Sequence, residues 1–193
     1  MTRIVNIGEA LIDEITRPNS EPVEVVGGSM LNVAAGLTRL GHESELATWF
    51  ARDARGDKVR AHAEAAGVTL TPGSDGAEFT TVAHAAVDEK GHATYEFDLS
   101  WDVPAVEDPD TVGHVHTGSY VVVVEPGAEK VLAAVKRQAI RGTVSYDPNI
   151  RPALLGTPDE ARPHVEAIVA LADVVKASDE DLKWLYPDRP VED

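Results

Sequence analysis

The sequence predicts an α/β fold in which a mostly parallel central sheet is accompanied by a small, separate β-sheet. Predicted strands and helices alternate along most of the 193 residues, which is the pattern of parallel strands joined by crossover helices. Two β-rich stretches, 79–87 and 92–99, interrupt this alternation around a turn that contains Gly91. A hairpin inside an α/β chain lies outside the main sheet, so we expect it to join residues 23–26 in a lid.

The strands are predicted from short apolar or β-branched runs bounded by turn residues. The first run, R-I-V-N-I-G, ends at Gly8, and the longest contains four consecutive valines, which favours a buried central strand. The predicted strands of the main sheet cover residues 3–8, 45–50, 68–70, 115–124, 143–146 and 173–176.

The helices are predicted from apolar residues at spacings of three and four, with a glycine or a capping residue at one end. In the first helix, Val33, Leu37 and Leu40 form the predicted buried face. Gly67 ends the second helix, and Ser178 is placed to cap the last one, whose first turn is acidic. The predicted helices cover residues 30–40, 54–66, 128–140, 158–171 and 179–185.

A pair of glycines followed by a helix predicts a ligand-binding site. Gly27 and Gly28 lack a Cβ atom, so the backbone there can adopt unusual angles and let a ligand come close. The helix that follows presents unpaired N–H groups at its positive end. Asn32 offers one acceptor and two donors, which suits recognition of a hydroxyl-rich molecule. Asp13 comes just after the first strand, and because ligands collect at the carboxyl ends of strands in open α/β sheets, it is a second candidate for this site.

Composition argues against several classes of function. The formal net charge of −16 disfavours a nucleic-acid partner, because phosphate contacts require clustered Lys and Arg. No apolar run approaches the ~20 residues that span a bilayer, so no membrane partner is expected. The absence of cysteine removes disulfides and thiolate metal sites. No signal-like segment precedes the first strand, and a cytoplasmic location is expected.

Six stretches, in order, resemble the motifs of the ribokinase-like sugar kinases, also called the PfkB carbohydrate kinase family. The central match is G-G-x-x-x-N-x-A at residues 27–34, in a helix that ends in Leu40-Gly41. The stretch Y-D-P-N-I-R-P at 146–152 is similar to the family's D-x-N-x-R motif, most of all in its fructokinase-like branch. The other four stretches are 8–13 (G-E-A-L-I-D), 50–57 (F-A-R-D-A-R-G-D), 116–119 (H-T-G-S) and 175–181 (V-K-A-S-D-E-D).

The resemblance implies a ribokinase-like αβα sandwich whose lid strands lie at about 13–26 and 79–99. It implies ATP-dependent phosphorylation of a sugar hydroxyl, with Mg²⁺ and a monovalent cation as further cofactors. The implied partners are a small-molecule sugar and, for an intact kinase, a second copy of the chain in a homodimer formed through the lid. The implied roles are sugar binding for Asp13, Gly27, Gly28 and Asn32, lid contacts for Tyr95 and Phe97, a place on the phosphate side for Asn149, Arg151, Lys176 and Ser178, and metal binding through water for Asp181.

The sequence departs from the family pattern at two places. Ser178 and Asp181 stand where the family usually has Asn and Glu, although fructokinase-like members commonly have serine there. The family's C-terminal D-T-x-G-A-G-D segment, which supplies an anion hole and the aspartate base, has no counterpart in the 193 residues. The chain therefore resembles the N-terminal two-thirds of a sugar kinase, and the expected base lies beyond residue 193. We expect this chain alone to be inactive and to expose an apolar sheet edge.

Three hypotheses for the function follow. The leading one is an ATP-dependent sugar kinase of the fructokinase-like branch. The alternatives are a kinase for another acceptor, such as ribose, 2-keto-3-deoxygluconate or a nucleoside, and a non-catalytic sugar-binding remnant. A dinucleotide-binding oxidoreductase is disfavoured, because no G-x-G-x-x-G turn directly follows the first strand.

Overall fold

Two β-sheets organise the fold. The computed structural model describes residues 3–88, 90–106 and 111–190. The strands are β1 (Arg3–Ile7), β2 (Leu11–Thr16), β3 (Val23–Gly27), β4 (Ser44–Ala47), β5 (Thr69–Leu70), β6 (Val82–Val87), β7 (Ala93–Asp98), β8 (Val112–Gly118), β9 (Thr143–Asp147) and β10 (Val174–Val175). The helices are α1 (Ser29–Arg39), α2 (Ala54–Ala65), α3 (Gly127–Arg141), α4 (Pro152–Leu155), α5 (Pro158–Val169) and α6 (Asp179–Leu185). Within the described ranges, no helix has the length and apolar character needed to cross a membrane.

The larger sheet confirms the predicted α/β fold. Its six strands run in the order β10-β9-β8-β1-β4-β5, and every neighbouring pair is parallel. Val5 and Ile7 of β1 belong to a core that includes buried residues of α3 and α5, whereas Leu46 of β4 packs with α1 and α2. Helices therefore cover both faces of the sheet, which is the αβα arrangement.

The smaller sheet forms the lid. Its order is β3-β2-β6-β7, with β2 and β6 parallel and the two outer pairs antiparallel. Asp13 pairs with Val25 and Ala83, and Ala83 pairs with Phe97, so these four side chains share one face. The first lid strand begins at Leu11, earlier than the predicted boundary of 13. Asp13 lies within this lid strand, inside the predicted lid range of about 13–26, and not directly at the carboxyl end of β1 as the strand pattern predicted.

Ion pairs hold the other face of the lid against α2. Arg55 donates to Glu14 at 2.8 Å and to Glu24 at 2.7 Å. His84 lies between Asp98, at 3.0 Å, and Glu14, at 2.9 Å, and these two carboxylates raise the pKa of His84. Partly exposed ion pairs contribute little stability one by one, but together they link the four lid strands, and two of these strands, β2 and β3, bond directly to one helix of the core.

The buried face of α1 differs from the predicted one. Leu40 is 77% exposed, and Val33 and Leu37 are only partly buried. The buried residues of this helix are Met30, Leu31, Ala34 and Ala35. Both sets satisfy the spacing of three and four residues, and the small alanines let the helix come close to the sheet. Contact with the sheet therefore selects the second set.

The predicted strand at 115–124 ends at Gly118. Ser119–Val122 forms a turn of 3-10 helix instead, in which Ser119 has a φ of 63°. Gly118 has no room for a side chain, because a Cβ would collide with the carbonyl oxygen of Asp147 in the neighbouring strand. The residues of the turn are still buried. The apolar side chains are therefore removed from water by packing in the core and not by pairing in a strand.

The larger sheet ends in an apolar edge strand. In the described part of the chain, β10 pairs with β9 alone. Val174 is 60% exposed and Val175 is 42% exposed. This exposed edge agrees with the expectation from the sequence, and unpaired apolar edges favour association with other chains.

Candidate functional site

A pocket of about 630 Å³ lies between the lid and the segments that follow β1, β8 and β9. This is the edge of the sheet at which ligands bind in open α/β folds. The lining residues are Glu9, Leu11, Asp13, Gly28, Ser29, Asn32, Ala83, Tyr95, Phe97, Ser119, Tyr120, Asn149, Arg151 and Pro152. The pocket thus brings together most of the predicted site residues from both halves of the chain.

Asp13 reaches the pocket from strand β2 of the lid. Gly27 does not line the pocket, but it leaves room for this carboxylate, since a Cβ on Gly27 would collide with Oδ2 of Asp13. Burial raises the pKa of Asp13, and the positive charge of Arg151 lowers it in part. The lid carboxylate and the core guanidinium are therefore close enough to influence each other across the pocket.

Gly28 starts α1 in the wall of the pocket. Its φ of 113° favours glycine, and a Cβ there would collide with the carbonyl oxygen of Glu9. The N–H of Asn32 donates to the carbonyl oxygen of Gly28 at 3.1 Å, which closes the first turn of the helix. Asn32 is exposed and lines the pocket, so its side-chain amide is available to a ligand.

Tyr95 and Phe97 form the aromatic part of the lid. They lie two residues apart on β7, with ring centroids separated by 6.4 Å and ring planes inclined by 20°. Both line the pocket, and Tyr95 is 53% exposed. An apolar cover over a few polar groups is the usual composition of a small-molecule site.

Asn149 and Arg151 enter the pocket from the segment after β9. Asn149 has a φ of 39°, and its N–H donates to Oδ1 of Asp147 at 3.2 Å. The guanidinium of Arg151 donates to the carbonyl oxygens of Asn149, at 3.2 Å, and Ile150, at 3.1 Å. Both contacts use Nη1, and because a guanidinium has five N–H donors, others remain for an anionic ligand.

Lys176, Ser178 and Asp181 do not line this pocket. Nζ of Lys176 donates to Asp147 at 3.1 Å. Ser178 caps α6, as predicted, by accepting from the N–H of Asp181 at 3.1 Å. The carboxylate of Asp181 accepts from the N–H and the hydroxyl of Ser178, both at 2.8 Å, and from the N–H of Ile150 at 2.7 Å. The phosphate-side roles of Lys176 and Ser178 stay predictions.

The described part of the chain contains no ready-made site for direct metal binding. Among residues 3–88, 90–106 and 111–190, no group of three or more His, Asp or Glu side chains could hold a metal ion. Asp181 is 6% exposed, and its two carboxylate oxygens already accept three hydrogen bonds. Mg²⁺ prefers several open oxygen ligands. A contact of Asp181 with a metal through water stays a prediction.

The pocket also contains polar residues that the sequence does not single out, namely Glu9, Ser29, Ser119 and Tyr120. Glu9 is 5% exposed, and burial raises its pKa, while hydrogen bonds from Ser29 lower it in part. Burial and the nearby Glu9 carboxyl raise the pKa of Tyr120. The available signal in the sequence is that Glu9 is acidic and directly precedes the apolar residues Ala10, Leu11 and Ile12, which predict burial.

Residues 1–191 match the profile of the pfkB family of carbohydrate kinases. The chain belongs to this family. The family membership confirms the resemblance carried by the six motifs, and the pocket lies where two of them, G-E-A-L-I-D and G-G-x-x-x-N-x-A, meet.

Several curated relatives within the pfkB family are fructokinases. The chain is 29% identical to the fructokinase of Rhizobium leguminosarum bv. trifolii, over 94% of this chain and 59% of that protein. It is 30% identical to the fructokinase of Klebsiella pneumoniae, over 93% of this chain and 61% of that protein. The chain thus spans about three-fifths of the length of these relatives.

Solved structures of sugar kinases share the fold. The crystal structure of fructokinase from Vibrio cholerae in apo form has a TM-score of 0.81 and 25% identity, covering 100% of this chain and 69% of that one. A sugar kinase from Pyrococcus horikoshii, in complex with ATP, has a TM-score of 0.77 and 27% identity, covering 95% of this chain and 66% of that one. The predicted ribokinase-like fold is therefore confirmed, with part of each neighbour's fold having no counterpart in this chain.

Proposed function

We propose that the pocket is the sugar-acceptor site of a fructokinase-like kinase, which transfers the γ-phosphate of ATP to a sugar hydroxyl. The observation that carries the proposal is the meeting of Asp13 from the lid with Asn32 from α1 in one pocket. Their carboxylate and amide groups suit a polyol, because a hydroxyl both donates and accepts hydrogen bonds. The fructokinases among the relatives support fructose as the acceptor.

The lid and the core have different roles in this proposal. Asp13 and Asn32 bind sugar hydroxyls, while Tyr95 and Phe97 cover the sugar and exclude water. Phosphoryl transfer depends mainly on positioning and electrostatic stabilisation, and Arg151 supplies a positive charge on the opposite side of the pocket.

ATP is the proposed phosphoryl donor. The sugar kinase from Pyrococcus horikoshii, whose structure contains ATP, supports this choice. Mg²⁺ and a monovalent cation belong to the proposal through the family resemblance, although no group of three or more His, Asp or Glu side chains in the described ranges could hold a metal ion.

We further propose that these 193 residues bind the sugar without transferring phosphate to it. Two observations support this. The chain spans 59% and 61% of the length of two fructokinase relatives, and its sequence contains no D-T-x-G-A-G-D segment. A non-catalytic sugar-binding role is thus the second candidate function, and it uses the same pocket.

A titration of the chain with fructose, followed by NMR, tests the acceptor site. We expect the side-chain amide signals of Asn32 to shift and saturate, with ribose binding at least tenfold more weakly. Saturation by ribose, 2-keto-3-deoxygluconate or a nucleoside in place of fructose would identify a different acceptor. Failure of all four compounds to shift these signals would contradict the proposal.

The lid is also the proposed surface for pairing of two copies. Val23 and Val25 are 51% and 48% exposed, and they lie on the lid face that carries Asp13. Together with the exposed Tyr95, they leave an apolar margin beside the pocket. Sedimentation over a range of concentrations is expected to show a dimer, and a Val25→Glu chain that dimerises equally well would exclude the lid as the interface.

A further inference from the structure

Glu9 connects the two segments that join the first half of the lid to the core. One segment links β1 to β2 and contains Glu9, and the other links β3 to α1 and contains Gly28. Oε1 of Glu9 accepts a hydrogen bond from the N–H of Ser29, at 3.1 Å, and another from its hydroxyl. The carbonyl oxygen of Glu9 also lies directly against Gly28, where a Cβ would collide with it.

The carboxyl of Glu9 takes the place of a side-chain cap on α1. Gly28 precedes the first helical residue and makes no side-chain cap, because it has no side chain. Glu9 supplies the acceptor from a different segment of the chain, and an acidic group at this end also interacts favourably with the helix dipole. Asn32 belongs to the same first turn, so the hydrogen bonds between Glu9 and Ser29 act on the turn that carries the Asn32 side chain.

Packing alone is a poor explanation for a carboxyl at this position. Glu9 is 5% exposed, and its Oε2 is buried and accepts no hydrogen bond from the described residues. The hydroxyl of Ser119 is close enough to lower the pKa of Glu9, yet within the described ranges it too makes no hydrogen bond of good geometry. A buried, half-satisfied carboxyl destabilises the fold relative to an apolar side chain of similar size. The hydrogen bonds of Glu9 with Ser29 explain why a carboxyl occupies this buried position.

We propose that Glu9 is a positioning residue of the acceptor site, which sets the first turn of α1, and with it Asn32, relative to Asp13 in the lid. Glu9 does this through Ser29, whose N–H and hydroxyl both donate to its Oε1. That Glu9 affects sugar binding rests on the proposed function. That Glu9 fixes the first turn of α1 through Ser29 does not depend on it.

Hydrogen exchange of the first-turn amides of α1, followed by NMR, tests directly whether Glu9 stabilises this turn. Glu9→Gln keeps the length of the side chain and an acceptor for Ser29, whereas Glu9→Asp keeps the charge but is one methylene too short. We expect exchange of the 29–33 amides to be at least tenfold faster in Glu9→Asp and within threefold of the unsubstituted chain in Glu9→Gln. If Glu9→Asp fails to fold, Ser29→Ala removes one of the two donors, and an intermediate acceleration is expected.

Thr81→Val is the matched control. Oγ1 of Thr81 donates to the carbonyl oxygen of Ser100 at 2.9 Å and accepts from its N–H at 3.0 Å, so it links the other two segments that join lid and core. Thr81 does not line the acceptor pocket. Its loss is expected to leave exchange in the first turn of α1 unchanged.

Fructose affinity is the second measurement. We expect Glu9→Asp to weaken binding at least tenfold, and Glu9→Gln and Thr81→Val to stay within threefold of the unsubstituted chain. Equal exchange and equal affinity in Glu9→Asp and Glu9→Gln would overturn the proposal, as would an equally large effect of Thr81→Val. If no chain binds fructose while the exchange pattern holds, the hold on α1 is supported and the proposed function is not.

Discussion

Replacing Asp13 with alanine is expected to weaken fructose binding by about 100-fold. Asp13 is the carboxylate that the lid places in the pocket, and a hydrogen bond to a charged group contributes about 1.5–3 kcal/mol. The upper part of that range corresponds to a factor of roughly 100 in the dissociation constant. The free energy of unfolding is expected to change little, because Asp13 is only partly buried and burial disfavours its charged form. NMR titration and thermal unfolding measure the two quantities.

Glu96→Gln is the matched control for Asp13→Ala. It also removes one negative charge from the lid, but Glu96 pairs with His84, on the face opposite that of Asp13. Its fructose affinity is expected to equal that of the unsubstituted chain. An equal loss of affinity in both variants would show that the charge of the lid matters and that a direct contact of Asp13 does not.

The pH dependence of binding provides an independent check on Asp13. Burial raises its pKa above the usual value of 3.8, so the carboxylate becomes protonated at a higher pH than an exposed aspartate would. Because the ionised form is the stronger acceptor, affinity is expected to fall as the pH is lowered through this raised pKa. In Asp13→Asn the fall should be absent, since an amide does not titrate in this range.

The features that follow local rules could be predicted from the sequence. The alternation of strands and helices predicted the parallel sheet, because strands and helices differ in the spacing of their buried residues along the sequence. The cap of α6 was predictable from Ser178 and the acidic first turn, and the structure shows the reciprocal bonds between Ser178 and Asp181. The hairpin was recognisable because its two β-rich runs flank a turn with glycine.

Features that depend on tertiary contact could not be predicted. The first helix carries apolar residues on more than one face, and only the sheet beneath it decides that Ala34 rather than Leu40 is buried. The valines after Gly118 have high strand propensity, but Ser119–Val122 forms a buried turn of 3-10 helix that packs in the core instead of pairing in the sheet. In both cases the deciding neighbour is distant in sequence.

The same distinction applies to the candidate site. Asn32 was predictable because helix starts collect at the ligand-binding edge of a parallel sheet, whereas Asp13 reaches the pocket from a lid strand and not from the end of a main-sheet strand. Lys176 follows β10, the outermost strand, which stands two strands beyond β8 in the sheet order and places it outside the pocket. Glu9 was missed because its partner Ser29 is 20 residues away, and nothing in the sequence shows that the two segments touch.

The 193 residues are expected to bind fructose but to form ADP at least about 10⁴-fold more slowly than a fructokinase that carries a D-T-x-G-A-G-D segment. A general base contributes about 10²–10⁴ to a rate, and preorganised donors at the developing charge contribute about 10²–10³ more. In the pocket of the described chain, Glu9 is buried and bonded to Ser29, and Asp13 belongs to the lid. Neither carboxylate is placed to replace a base that works beside a backbone anion hole.

A coupled assay of fructose-dependent ADP release, with ATP and Mg²⁺ supplied, measures this rate. Asp13→Ala, purified in parallel, is the control, because a trace of host kinase would give both preparations the same rate. A rate in the unsubstituted chain that Asp13→Ala abolishes would contradict the prediction, since the activity would then use this pocket. Equal rates, with fructose binding seen only in the unsubstituted chain, would separate acceptor binding from phosphoryl transfer. The lid and the start of α1 would then suffice to recognise the sugar, and the groups that make it react would have to come from outside these residues.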